Sequence, residues 1–343
     1  MVWASLAALP AQSQDWATHD VCFPDKLELF EDTLAPFKLA DLEAAAQTIP
    51  NATGRYWQIT SPGGAVSHLW GTMHANDPRI LALPDRVEAD IRAARVVALE
   101  TDFIFTSRAD YARFASAEEI VRQDYLPFRF GVLGLPPEIE SWIRMRTDGI
   151  GWGDDAPDYL TLAGLASLIL GDPCSDFAAG TYPSQDSLIQ TLGAMEGAGI
   201  LALEPPDDFM DTLSDPQNFE LTRALIAIYG AYLNPERTAQ STATGYALYL
   251  RGQLGVSMLV DRGYILEIYG DNQGGDWLAL TNGYLVEQRN QTFLTNALPA
   301  LEQGGVFMAI GGFHLPGDTG MIALLRKQGF TVERIAVTGE VQS

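Results

Sequence analysis

Residues 65–74 read Ala65-Val66-Ser67-His68-Leu69-Trp70-Gly71-Thr72-Met73-His74, and residues 305–314 read Gly305-Val306-Phe307-Met308-Ala309-Ile310-Gly311-Gly312-Phe313-His314. Each is a short apolar run, then Gly-x-x-His, then a segment patterned as a helix. An apolar run of this length suits a strand covered on both faces, the ordinary state of a parallel sheet. The glycine lets the chain leave the strand end at an angle closed to bulkier residues. The histidine then enters the crevice beyond the carboxyl ends of the strands, where open α/β sheets hold their ligands.

Working outward, residues 55–60 and 65–71 predict two strands around the turn Ser61-Pro62-Gly63-Gly64. Leu83-Pro84-Asp85 opens a helix whose apolar face carries Val87, Ile91 and Ala94, and Arg95 to Leu99 follow as a buried strand. Ser67 to Leu99 therefore has the length of a parallel strand–helix–strand crossover. The strands leading to His74 and Glu100 are expected to be neighbours, about 4.8 Å apart. Ile200 to Leu203 forms another strand, residues 318–328 a helix and Thr331 to Val337 a last strand. Residues 26–49, 103–197 and 217–270 carry helical spacing, the middle stretch broken by glycine and proline clusters. The expected fold is α/β: a mostly parallel central sheet built from the two chain ends, with a large helical middle insertion. Residues 14–343 are read as a single domain.

Composition narrows the functions. With 44 acidic against 21 basic residues, a formal charge of −23 and only three lysines (Lys26, Lys38, Lys327), nucleic acid is excluded as a partner. No stretch approaches the ~18 apolar residues of a membrane-spanning helix. Residues 1–13, MVWASLAALPAQS, resemble the apolar core and cleavage region of a secretory signal, although the basic leader is missing. The expectation is a periplasmic or secreted protein. Cys22 and Cys174 fit one disulfide of an exported chain or two buried thiols, and neither has a zinc-knuckle or CxxC spacing.

A second pairing accompanies the two Gly-x-x-His turns. Val96-Val97-Ala98-Leu99-Glu100 and Ile200-Leu201-Ala202-Leu203-Glu204 are apolar strands closed by Leu-Glu. A carboxylate at a buried strand end is costly unless paired, hydrogen-bonded or bound to a metal. Should the strand before His314 lie alongside, then His74, Glu100 and His314 converge. Two imidazoles and a carboxylate form the ligand set of a catalytic divalent-metal site. The residues alone equally admit two histidines bonded to backbone and a glutamate paired with an arginine. His68 is read as a satisfied sheet histidine and His19 as a surface one. Nucleotide-binding glycine loops, HExxH and GxSxG are absent.

The segments HLWGTMH, VVALETD, ILALE, EQRN and FMAIGGFHLPGDTGMIALLRKQGFTVERI resemble the TraB/GumN family, related to the animal Tiki proteins, from about Trp57 onward. The resemblance implies a fold like the erythromycin-esterase and ChaN proteins and a divalent-metal hydrolase site, with Mn, Co or Zn as the metal. It matches His74 and His314 to the two Gly-x-x-His histidines and Glu100 to the glutamate after the first crossover. Arg289 and Asn290 match its Arg-Asn pair; Gln288 stands where a glutamate often precedes the arginine, with Glu287 before it. On this reading His74, Glu100 and His314 hold the metal, Glu204 takes the proton of a water, and Arg289 stabilises an oxyanion or anchors substrate. The substrate is a peptide or other small secreted molecule. Two alternatives stand beside it. Glu100 is the base of a metal-free esterase-like site, or the crevice belongs to a non-catalytic peptide- or haem-binding protein.

Overall fold

The computed structural model describes residues 22–101, 130–171, 184–205 and 208–341. Six strands form one sheet: β1 Tyr56–Thr60, β2 Val66–Thr72, β3 Val96–Leu99, β4 Gly199–Ala202, β5 Val306–Gly311 and β6 Thr331–Arg334, in the order β4-β3-β5-β2-β1-β6. β4, β3, β5 and β2 are mutually parallel, and β1 runs antiparallel to both β2 and β6. The hairpin between β1 and β2 turns at Gly64, whose φ of +84° is open to glycine without a side-chain clash.

One expectation about the sheet is corrected. β2 and β3 are not neighbours, because β5 lies between them and pairs with each. The physical reason is burial. Val306 to Ile310 are at most 1% exposed, and only a central position covers both faces of so apolar a strand. Its side chains alternate as the pleat requires. Phe307 and Ala309 join Val87, Ile91 and Ile189 beneath helices Asp85–Arg92 and Gln185–Met195. Val306, Met308 and Ile310 join Phe293, Leu301 and Leu325 on the opposite face, beneath helices Arg289–Gln303 and Met321–Lys327. Each large apolar side chain buried there contributes about 2 kcal/mol.

Residues 26–49 are not one helix but two short ones, Glu31–Leu34 and Leu39–Ala46, separated at Pro36, which cannot continue the backbone ladder. The described residues of the middle stretch are largely helical as expected, and 102–129 and 172–183 lie outside the described residues. Helices Pro137–Gly149, Leu162–Leu170 and Phe219–Ala231 share a core of their own with part of Leu254–Asn282, which kinks at Gly270 (φ 75°, ψ 165°). No helix among the described residues is long and apolar enough to cross a membrane. Cys22 is fully buried. Its expected partner Cys174, the residue 1–13 segment and His19 lie outside the described residues.

Candidate functional site

The register of the sheet decides which side chains meet. Thr72 pairs with Gly311 across β2 and β5, and Leu99 pairs with Ala309 across β3 and β5. The carboxyl ends of three strands are therefore level, and His74, Glu100 and His314 leave them toward one point. Glu100 Oε1 lies 3.9 Å from His74 Nε2 and 3.7 Å from His314 Nε2, and accepts a 2.7 Å hydrogen bond from the Gly311 N–H. The β3–β4 ladder continues one step further, with the Glu204 N–H donating to the Glu100 carbonyl at 3.0 Å. That step brings the second Leu-Glu glutamate alongside the first.

Arg289 joins the two glutamates. Its Nη2 donates to Glu100 Oε2 at 2.8 Å and also to Glu204, while its Nε bridges both Glu204 oxygens at 3.1 and 3.0 Å. Arg289 is the first residue of helix Arg289–Gln303, just after a π-helical turn over Gly283–Gln288. Such turns recur at functional sites, where the extra residue re-aims the side chains that follow. Burial disfavours the Arg289 charge, but the two carboxylates outweigh it and hold the guanidinium above its ordinary range. Burial likewise pushes Glu100 up, yet Arg289, His314, His74 and the Gly311 N–H together hold it well below the usual carboxylate range. Glu100 is thus an anion at any physiological pH.

The two histidines are oriented by residues of different kinds. His74 Nδ1 lies 2.8 Å from Asp186 Oδ2, and the other Asp186 oxygen accepts from the Thr72 hydroxyl at 2.7 Å. His314 Nδ1 lies 2.9 Å from Asn290 Oδ1. The Asn290 amide nitrogen donates to the carbonyls of His314 and Thr319, so its oxygen is the acceptor. In both rings Nδ1 accordingly carries hydrogen and Nε2 faces Glu100. The Asp186 carboxylate beside it raises the His74 pKa. Burial lowers His314 to about 4, against the attraction of Glu100.

Asp186 was not foreseen from the sequence, nor was its neighbour Gln185. Both begin helix Gln185–Met195, capped by the Ser184 hydroxyl, and an acid in a first turn reads as a helix-dipole residue. Gln185 Oε1 accepts from Trp70 Nε1 (3.1 Å), the Met73 N–H (3.2 Å) and the Tyr249 hydroxyl (2.7 Å). It thereby fixes the turn that carries His74. Asn290 lay beside Arg289 in the Arg-Asn pair, but its bond to His314 was not legible there. His68 stays in the sheet, stacked on Tyr56 with ring centroids 5.5 Å apart.

The point between the three heads is open because residue 311 is glycine. A Cβ there would lie 3.2 Å from Glu100 Oε1, 3.4 Å from His314 Cδ2 and 3.6 Å from His74 Nε2. Nitrogen and oxygen ligands of a tetrahedral ion, at about 2.1 Å from it, stand about 3.4 Å from one another. The observed separations are a few tenths of an ångström wider, and no group of three or more His, Cys, Asp or Glu among the described residues closes to metal-holding distances. In donor types, ring orientation and open centre the set still fits a divalent ion. Above it opens a cavity of about 580 Å³, lined by the site residues and by apolar side chains of the helical layer.

A family profile described as TraB/PrgY/gumN matches residues 56–334. No curated protein and no solved structure matches the chain. The matched stretch begins with the first residue of β1 and ends with the last of β6, enclosing the whole sheet and every residue of the site. The chain belongs to the TraB/PrgY/gumN family.

Proposed function

We propose that this protein is a divalent-metal-dependent hydrolase, peptidase-like in its chemistry. One observation carries the reading: two imidazoles, each with Nδ1 engaged, turn Nε2 toward the same oxygen of a buried glutamate. A histidine pinned through its other nitrogen by a carboxylate or amide is the usual form of a metal ligand. His74, His314 and Glu100 would hold Mn, Co or Zn, and such an ion when bound supplies Lewis acidity and brings the pKa of a water toward neutrality.

The remaining chemistry belongs to the chain itself. Asp186 and Asn290 orient the rings, so His314 presents its Nε2 lone pair directly and His74 does so once its Nε2 proton leaves. Arg289 hydrogen-bonds both Glu100 and Glu204 and so offsets the repulsion between two adjacent carboxylates. Among the described residues Glu204 Oε2 accepts only from Arg289 Nε and retains a lone pair for the proton of an attacking water. Arg289 Nη1, without a hydrogen bond among the described residues, is the donor available to an oxygen that gains charge as a carbonyl is attacked. We read the enzyme as periplasmic or secreted, with Cys22 bonded to Cys174 and a peptide or other small secreted molecule as substrate. Intact mass under non-reducing conditions, lighter by two hydrogens than the reduced chain, checks the bridge.

The test combines metal analysis with variants. His74→Ala and His314→Ala should each lose bound metal and hydrolysis while still melting cooperatively. Glu204→Gln should keep the metal and lose ~100-fold or more in turnover. Histidine variants that retain full metal content would overturn the ligand assignment. A wild type that takes up no metal yet binds peptide tightly would make this a binding protein.

A further inference from the structure

The cavity above the site has two unlike halves. Its floor is ionic: His74, Glu100, His314, Arg289 and Glu204. Its wall is Leu170, Phe209, Met210, Leu285 and Val286. These come from the end of helix Leu162–Leu170, the start of helix Asp208–Ser214 and the π-helical turn. Leu170, Phe209, Met210 and Leu285 pack against the helical core yet are only partly buried, so the apolar surface of that core continues into the cavity. The sheet core is a separate cluster, and the cavity lies where the two meet. On the floor side, Phe313 stands 38% exposed within the second Gly-x-x-His turn.

A concave apolar wall beside a few converging polar groups is the form of a ligand pocket, in which the wall supplies affinity and the polar groups fix orientation. An arm reaching from the floor to this wall must be uncharged. Among the described residues the wall offers no ionic partner, and an anionic arm would also meet Glu100, Glu204 and a chain of formal charge −23. A volume of about 580 Å³ accommodates one bulky group together with the backbone or amide that carries it.

We propose that Leu170, Phe209, Met210, Leu285 and Val286 receive a bulky, uncharged apolar arm of the substrate next to the bond held over His74, Glu100 and His314. This rests on the hydrolase reading for the bond but not for the arm. The arm is either an aliphatic or aromatic side chain of a peptide or a short acyl chain.

The experiment compares acetylated dipeptide amides carrying Ala, Leu, Phe or Asp beside the scissile bond, and anilides of short and longer acyl chains, on the metal-loaded full chain. kcat/KM for Leu or Phe should exceed that for Ala by ~10-fold or more, with Asp lowest. Met210→Asp and Leu285→Asn should each lower the Leu-to-Ala ratio ~10-fold. A preference found in peptides identifies a side chain, and one growing with acyl length identifies an acyl arm; either supports the wall. Equal kcat/KM across the four residues and across acyl lengths would overturn it while leaving the hydrolase intact. A second readout needs no turnover: displacement of the neutral fluorophore N-phenyl-1-naphthylamine by the Leu and Phe peptides. Displacement abolished by the wall variants, in a wild type inert toward every substrate, would keep the wall and remove the hydrolase. Probe binding indifferent to both variants would remove the wall. Should Met210→Asp fail to melt cooperatively, Met210→Ala replaces it.

Discussion

The two Gly-x-x-His turns are alike in sequence and unlike in physics. His74 ends a turn tied to a buried carboxylate, and 61% of its side chain stays exposed; His314 is tied to a neutral amide and only 8% exposed. Their glycines differ too. A Cβ on Gly71 would come within 3.0 Å of Leu315 Cδ2 and 3.1 Å of the Gly312 backbone, whereas a Cβ on Gly311 would meet only the polar heads of the site. At the first glycine a side chain would collide with packed neighbours, and at the second it would enter the space between the three heads. One motif has produced an accessible, readily charged imidazole and a buried, neutral one, both aimed at Glu100.

The strongest attempt to break this contrast exchanges the glycines for larger residues. Gly311 has φ −50° and ψ 138°, a conformation open to any residue. Gly311→Val should therefore fold, yet fill the space between the three heads and lower metal affinity by ~100-fold or more, as titration with Mn, Co or Zn would record. Gly71→Ala should do the reverse: metal uptake largely kept, and stability reduced by about 1–3 kcal/mol through overpacking, seen in denaturant unfolding. Equal effects of both substitutions would erase the distinction.

Exchanging the orienting residues sharpens it. Asp186→Asn removes the charge that favours the His74 cation and should cost ~10-fold to 100-fold in metal affinity, together with the stability that the His74 cation contributes at neutral pH. Asn290→Asp removes the amide that donates to the carbonyls of His314 and Thr319. Leaving those buried acceptors unpaired should cost about 2 kcal/mol or more of stability. Unchanged metal affinity in Asp186→Asn would contradict the assignment of Asp186 as the residue that orients His74.

The smallest effect is a titration of the chelator-treated protein, followed by the imidazole proton resonances. His74 should remain charged well above its ordinary 6.5, and His314 should stay neutral until about pH 4. The linkage signs are opposite. His314, lowered on folding, costs stability as pH falls from 6.5 to about 4, where the unfolded chain binds the extra proton. His74, raised on folding, contributes stability that is complete below 6.5 and lost as pH rises through its folded pKa. Two imidazoles titrating together near 6.5 would show the two environments to be alike.

Most strands were legible because each is a short apolar run ending at glycine or glutamate, and the helical middle was legible from its spacing. Strand order was not. A crossover from β2 to β3 has the same local pattern whether or not a third strand later enters between them, and β5 declares its central place only through burial on both faces. The site was legible where its chemistry sits on rare residues at strand ends, as with His74, Glu100, Glu204 and His314. Asp186 was not, since nothing local separates an acid that orients a histidine from one that merely suits a helix start. In residues 26–49 the signal was present: Pro36 lies within the apolar spacing and divides it.

The central position of β5 also sets an order of events at the ribosome. Its partners β2 and β3 are synthesised early, but the strand that joins them emerges near the end of the chain. Until then the two halves of the sheet have no seam, and His74 and Glu100 have no common scaffold. Such long-range pairing makes folding slow and leaves apolar edges uncovered during synthesis. A nascent or truncated chain lacking residues 306–334 therefore carries most of the site's side chains without a site. The residues around Glu100 meet only once β5 has joined β2 to β3.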